Sequence, residues 1–266
     1  DAIRMVHIAI DHGVNFFDTA PNYGNGTSEE RLHKAFKGMD RSKLVINSKF
    51  GRASNGTVDF SASVIRPTIE GSLKRLGVDY LDSVIIHSPP FEYLDGNKKE
   101  HYNILETLKQ EGKIKAYGAS IDSHKEIETL LSTTKATIIH AFYNIFHQGA
   151  REAKTLIEKK RATVVAKIPL DSGWLTGKYH KNSEFRGVRN RWSKAEIATR
   201  AMLVEKLKAI VGENRSLVQV ALAFCLADNF ISSVIPGSVN EEQLMTNIKS
   251  NDKPLPEELV QLLYSF

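Results

Sequence analysis

Val14-Asn15-Phe16-Phe17-Asp18-Thr19-Ala20-Pro21-Asn22-Tyr23-Gly24 is an apolar run that breaks into a polar loop at an acidic residue. The same event recurs twice downstream. Leu44-Val45-Ile46-Asn47-Ser48 ends at Lys49, and Ser83-Val84-Ile85-Ile86 ends at His87, ahead of Ser88-Pro89-Pro90. Apolar runs of this kind, without strict alternation, are expected of strands in a parallel sheet covered on both faces. In a parallel β/α barrel the C-terminal ends of the strands form the active-site face. Asp18, Tyr23, Lys49 and His87 therefore place an acid, a phenol, an amine and an imidazole where proton transfer is expected.

Working outward, strand-like runs at 14–20, 43–50, 80–88, 114–120, 136–144, 162–170 and 231–236 alternate with helical stretches. The helices are expected at 2–12, 28–37, 61–76, 98–111, 122–133, 150–160, 216–228 and 240–249. Strand and helix alternate with no break in composition, which argues for one α/β domain over 1–266. The fold expected is a (β/α)8 TIM barrel with its first strand missing from the start of this chain, because seven strands alone would expose two unpaired edges. Thr27-Ser28-Glu29-Glu30 reads as a capping box with Thr27 at the N-cap. Gly13, Gly38, Gly77 and Gly112 follow helical stretches, where a left-handed residue ends a helix. Two segments depart from the rhythm. Residues 171–192 form a long loop rich in glycine, basic and aromatic residues, expected on the active face. Residues 193–213 add an extra helix, and 256–265 a short closing one.

The bulk numbers bound the function. The chain has 266 residues, 41% of them hydrophobic, and a formal net charge of +5 from 36 Lys+Arg against 31 Asp+Glu. The basic residues are dispersed and form no block interleaved with aromatics, so nucleic acid is not an expected partner. No signal peptide is visible and no apolar run approaches the ~20 residues of a bilayer span, so no membrane partner is expected either. Cys225 is the one cysteine. It reads as a small buried apolar side chain, and its isolation fits a reducing, cytoplasmic compartment. No His-Glu-x-x-His and no Cys/His cluster of zinc spacing is present, so no metal site is expected.

At this point the chain resembles the aldo-keto reductase family over essentially its whole length. The residues that carry the likeness are Gly13 to Tyr23, Ser48-Lys49-Phe50-Gly51, Ile86-His87-Ser88-Pro89, Gly112-Lys113-Ile114 with Gly118-Ala119-Ser120, Tyr143-Asn144, Pro169-Leu170 with Leu175-Thr176-Gly177-Lys178, and Ile235-Pro236-Gly237-Ser238. The resemblance implies an eight-stranded barrel, a nicotinamide cofactor that is usually NADPH, and reversible reduction of aldehydes or ketones to alcohols. Hydride transfer to a carbonyl leaves an alkoxide that needs a proton. Tyr23 is the expected donor. Free tyrosine titrates near pH 10, and Lys49 beside it is expected to stabilise the phenolate. Asp18 is expected to keep Lys49 charged and oriented, and His87 to hydrogen-bond the carbonyl oxygen.

The likeness also implies a cofactor set. Gly237 and Ser238 open the last barrel helix, whose free N–H groups suit an adenosine phosphate. Asn247 matches the family's adenine contact. Leu170, Ser172 and Leu175, next to Pro169, match the loop that crosses the pyrophosphate, with Lys178 and Arg191 in reach. The two positions that often carry a Lys and an Arg for a 2′-phosphate are Gly237 and Gln243 here; many relatives with glycine at the first position still use NADPH, so NADP(H) is the expected cofactor, with NAD(H) open beside it. Three positions depart from the family pattern at the nicotinamide end. Ser120 is followed by Ile121 where the family usually has Ser-Asn, His140 stands in place of Gln or Asn, and Lys167 in place of an aromatic. A neutral imidazole cannot clasp a carboxamide as Gln does, and the Lys167 ammonium is expected to disfavour the cationic oxidised ring.

The resulting expectation is an NAD(P)H-dependent carbonyl reductase acting on a small carbonyl compound or sugar. An NAD-dependent aldose dehydrogenase is the alternative among enzymes. A cofactor-sensing regulatory or binding subunit is the alternative of another class, as in channel-associated relatives. Phe50, Phe146, Trp174, Tyr179, Phe185 and Trp192 are candidates for an apolar pocket mouth, with several of them expected to be ordinary packing. Oligomeric state is not encoded in any feature read here.

Overall fold

Apolar runs become parallel strands and the amphipathic stretches between them become helices, in chain order. The computed structural model describes residues 1–53, 55–186, 190–212 and 215–266. The chain divides into two compact units: 1–141 with 149–165, and 142–148 with 166–266.

The first unit carries α1 (Ala2–Asp11), β1 (Phe16–Asp18), α2 (Thr27–Phe36), β2 (Val45–Phe50), α3 (Ala62–Leu76), β3 (Leu81–Ile86), α4 (Lys99–Gln110), β4 (Ile114–Ile121), α5 (His124–Thr133), β5 (Ile138–Phe142, of which Phe142 belongs to the second unit), α6 (Lys154–Lys160) and the start of β6 (Thr163–Lys167). β1 to β5 pair in parallel, each with the next. The Thr163 N–H donates to the Thr137 carbonyl at 2.8 Å, which carries the ladder on to β6. Strand order in the sheet is thus chain order. Its helix-facing side is mostly apolar, with Ile46, Val84, Ile86 and Ile139 buried, as are Ile65 and Ile69 of α3 and Leu105 of α4. Gly77 ends α3 at φ +64, and its N–H reaches the last carbonyls of that helix.

One local expectation is corrected. Thr27 is not an N-cap: α2 starts at Thr27 itself, behind Gly26, and the Thr27 hydroxyl donates to the Gly24 carbonyl at 2.7 Å. The hydroxyl closes the preceding turn and is not available to the helix. Glu29 is fully buried, accepting from Ser48 Oγ at 2.7 Å and from Arg75 Nε at 2.6 Å. The capping boxes lie elsewhere, at Ser123 with Glu126 in front of α5, and in the second unit at Ser193 with Glu196 and Ser216 with Gln219.

Gly118 marks the closest approach of β4 and β5. A Cβ built there stands 1.6 Å from the Ile138 carbonyl oxygen, a collision of backbone with side chain that no rotamer relieves. Gly118→Ala is expected to cost about 3 kcal/mol or more, read as a lowered urea midpoint or loss of soluble protein. A midpoint equal to wild type contradicts this packing.

The second unit holds the end of β6, α7 (Lys194–Val211), α8 (Leu217–Ala227), β7 (Ser233–Val234), α9 (Glu241–Ile248) and α10 (Glu257–Leu263). β7 is shorter than the expected 231–236; the Ile235 N–H donates to the Ala166 carbonyl at 3.1 Å. α7 occupies the extra-helix position expected over 193–213, of which 213 lies outside the described residues, as do 187–189 of the long loop. That loop opens with a 3₁₀ turn in which Asp171, Ser172 and Gly173 all have positive φ. Asp171 is buried and held by Arg200 Nε at 3.1 Å. The aromatics of the loop pack on one another. Trp174 is fully buried beside Ala201 and Val204 of α7, with Phe146, Tyr179, Phe185 and Trp192 around it. Trp174 is thus ordinary packing, as is Phe50, buried in the first unit, while Phe146, Tyr179, Phe185 and Trp192 stay partly buried. Cys225 lies buried in α8, and burial pushes its thiol well above the ordinary range, which makes it a structural residue.

Candidate active site

The strand register decides which side chains meet. Residues opposite one another in a parallel ladder point to the same side, and the side alternates along each strand. Asp18 is opposite Asn47, Asn47 is opposite Ser83, Lys49 is opposite Ile85, and Ser120 is opposite His140. Ile85 is in turn opposite Gly118, two residues before Ser120. Asp18, Asn47, Lys49, Ser83, Ser120 and His140 therefore share one face of the first unit's sheet. That face curls: His140 Nδ1 on β5 lies 3.7 Å from Asp18 Oδ1 on β1, although three strands separate them in the sheet order.

Asp18, Tyr23, Lys49 and His87 come together. Lys49 Nζ donates to both Asp18 carboxylate oxygens, at 2.8 and 2.7 Å, and to the Thr19 carbonyl at 2.8 Å. The Lys49 side chain is 4% exposed and that of Asp18 11%, so the pair is largely withdrawn from water. Asn47 Nδ2 donates to Asp18 Oδ1 and Ser83 Oγ to Asn47 Oδ1, extending the polar layer beneath. Tyr23 follows the turn closed by its own N–H on the Ala20 carbonyl at 3.0 Å. Its ring lies 4.8 Å from the Lys49 nitrogen and meets the His87 ring edge-on with centroids 5.8 Å apart. His87 continues β3, its N–H on the Phe50 carbonyl at 2.9 Å and its carbonyl accepting from Arg52 Nε at 3.1 Å. An ammonium fixed by a carboxylate beside a partly exposed phenol, with an imidazole across from it, is equipped to move a proton to or from an oxygen atom.

Sequence reasoning missed Asn47, Ser83 and the Thr19 carbonyl. Asn47 and Ser83 did carry a signal: each is polar inside an apolar run, an even number of residues before Lys49 or His87. Of the cofactor residues in the first unit, Ser120 accepts a long contact from Ser88 Oγ at 3.4 Å, and His140 is placed against Asp18.

The remaining cofactor candidates all belong to the second unit. Arg191 Nη2 donates to Ser172 Oγ at 2.9 Å, Lys178 Nζ lies 4.9 Å from the centre of the Tyr179 ring, and Lys167 ends β6 ahead of Pro169. Leu175 is fully buried, its N–H on the Leu170 carbonyl at 3.2 Å, so it shapes the turn through its backbone. At the start of α9, Asn247 Nδ2 donates to Ser238 Oγ at 2.9 Å, the Gln243 N–H to Asn240 Oδ1 at 2.9 Å, and the Val239 N–H to Gln243 Oε1 at 3.2 Å. Gly237 is exposed with open space where a Cβ would stand, and α9 buries none of its residues. An open glycine loop beside a helix face that the protein leaves uncovered fits the adenosine end of a dinucleotide.

A sequence model of the Aldo/keto reductase family matches residues 1–266. The chain belongs to that family. L-galactose dehydrogenase of Arabidopsis thaliana is 29% identical over 255 residues, covering 93% of this chain and 77% of that protein. The putative voltage-gated potassium channel subunit beta of Schizosaccharomyces pombe is 33% identical, over 96% of this chain and 80% of its own length. The solved aldo-keto reductase AKR11C1 from Bacillus halodurans, in its holo form, superposes with a TM-score of 0.83 at 27% identity, over 98% of this chain and 86% of that one. The architecture is the aldo-keto reductase fold, with seven parallel strands among the described residues. The protein is an NAD(P)H-dependent oxidoreductase acting on a small carbonyl compound. Among the described residues, no helix is long and apolar enough to cross a membrane, and no group of three or more His, Cys, Asp or Glu side chains is arranged to hold a metal ion.

Proposed function

We propose that this aldo-keto reductase reduces small aldehydes or ketones, sugars among them, with Tyr23 as the proton donor, and oxidises the corresponding alcohols when oxidised cofactor is in excess. The observation that carries the reading is the Lys49 ammonium, held by Asp18 and standing 4.8 Å from the Tyr23 ring. The nicotinamide, when bound, supplies or accepts the hydride. The chain's own residues handle the proton and the substrate. Tyr23 gives its phenolic proton to the carbonyl oxygen as negative charge develops there. Lys49 stabilises the phenolate left behind, and Asp18 keeps Lys49 charged and aimed. His87 hydrogen-bonds the substrate oxygen and fixes the carbonyl for attack. In the oxidation direction the phenolate takes the proton back. Consumption of reduced cofactor, followed by its absorbance across short aldehydes, dicarbonyls and aldoses, tests the reading; no turnover on any of them overturns it.

Within the second unit the same reading assigns Ser172, Lys178 and Arg191 to the pyrophosphate and Ser238 with Asn247 to the adenosine. The first turn of α9 carries Glu241 and Glu242, both exposed, and no Lys or Arg occurs from Pro236 to Ile248. A 2′-phosphate there would lie beside two acidic residues and find no Lys or Arg within that segment. NAD(H) is therefore the preferred cofactor in this reading. NADH is expected to bind roughly tenfold tighter than NADPH, about 1.4 kcal/mol, as read by quenching of protein fluorescence. Glu242→Lys is expected to narrow the gap. Equal or tighter binding of NADPH by the wild type contradicts the assignment.

A further inference from the structure

The three N–H groups of the Lys49 ammonium have three acceptors: Asp18 Oδ1 at 2.8 Å, Asp18 Oδ2 at 2.7 Å and the Thr19 carbonyl at 2.8 Å. An ammonium has no fourth hydrogen. A phenol oxygen that is losing its proton needs one of these three, so one acceptor must be released during the reaction. Asp18 Oδ1 is the one that other groups address. Asn47 Nδ2 donates to it, and His140 Nδ1 stands 3.7 Å away, on a side chain 1% exposed. A shift of about half an ångström brings that imidazole nitrogen into hydrogen-bond range. Oδ2 is bonded to Lys49 alone among the described residues.

We infer that His140 is a positioning residue: with Asn47 it holds Asp18 Oδ1, so that Lys49 stays on Oδ2 and the Thr19 carbonyl and turns its third N–H to the Tyr23 oxygen. Donation to the carboxylate oxygen requires the ring hydrogen on Nδ1. His140 thus acts on the proton-transfer set through Asp18, in place of the carboxamide contact that its sequence position implies. The groups addressing the same carboxylate are Asn47 and Lys49, and Ser120 is the residue opposite His140 across the ladder. This inference rests on the reading of Tyr23 as the proton donor.

The test compares His140→Ala, His140→Asn and His140→Gln in the full-length protein. It measures kcat, substrate KM, cofactor Kd by fluorescence quenching, and the pH profile of alcohol oxidation. An Asn amide reaches roughly the position of Nδ1, whereas Gln reaches past it. His140→Ala is expected to lower kcat about tenfold with cofactor Kd within about twofold of wild type. The rising limb of the oxidation profile should move up by roughly one pH unit, because a phenolate with less support needs a higher pH to form. His140→Asn should recover most of kcat and His140→Gln should not. Weakened cofactor binding at unchanged kcat overturns the inference in favour of the carboxamide role. A lower kcat with no shift of the limb and no rescue by Asn overturns it in favour of a purely structural role. Should His140→Ala fail to fold, Asn against Gln carries the same comparison. Tyr23→Phe, assayed alongside, separates the two levels: if it turns over normally, the proton-donor reading itself has failed.

Discussion

Tyr23→Phe is expected to lower turnover by about 10²- to 10⁴-fold, the usual range for loss of a general acid, while cofactor Kd stays within about twofold of wild type. The substitution removes one oxygen and keeps the ring, so the contacts with His87 and with the Lys49 ammonium persist. The loss should fall on kcat and on kcat/KM alike, as for an interaction made only in the transition state. Single-turnover reduction of a reactive short aldehyde is the direct measurement. Near-normal rates remove Tyr23 from the mechanism. If instead the wild type binds reduced cofactor tightly but turns over nothing in a broad panel, a regulatory subunit becomes the better reading, in line with the likeness to a putative channel subunit beta.

The second large effect is on stability. Asp18→Ala leaves the Lys49 ammonium buried with the Thr19 carbonyl as its remaining partner. Breaking a buried pair from one side costs about 3–5 kcal/mol, a large share of the roughly 5–15 kcal/mol that holds a typical domain together. Urea denaturation should show it as a marked fall in midpoint. The double variant Asp18→Ala/Lys49→Met should recover much of that stability, because no lone charge remains, yet stay inactive. A single variant within about 1 kcal/mol of wild type would mean that water reaches Lys49 and that the pair is weaker than its burial implies.

The strand ends were readable because a buried parallel strand announces itself: an apolar run stops where the chain leaves the sheet. Asp18, Lys49 and His87 stand at three such stops, and register does the rest. What could not be read is contact across the curl. Nothing in the spacing from Phe16 to His140 tells that β1 and β5 face one another, because that proximity belongs to the sheet and not to either strand. Thr27 misled for a different reason. Its motif, with Glu30 three residues on, was correct for a cap, but the Gly24 turn claimed the hydroxyl and Gly26 took the cap position. The rings from Trp174 to Trp192 were ambiguous because an aromatic side chain lines a pocket and fills a core equally well, and composition does not tell the two apart. The positive φ values at Asp171 and Ser172 lay outside sequence logic altogether, since neither is glycine; burial of Asp171 against Arg200 holds them.

The two faces of the first unit's sheet divide the labour between them. The helix side is mostly apolar, through residues such as Ile46, Val84 and Ile139, while the opposite side sets Asp18, Asn47, Lys49, Ser83 and His140 among buried apolar neighbours such as Leu81, Ile85 and Ile138. Because neighbours in sequence point to opposite sides, a replacement that retunes reactivity leaves the adhesive surface next to it untouched. Away from the buried Asp18–Lys49 pair, new chemistry can then be tried one residue at a time, which makes a chain of this kind a ready starting point for divergence.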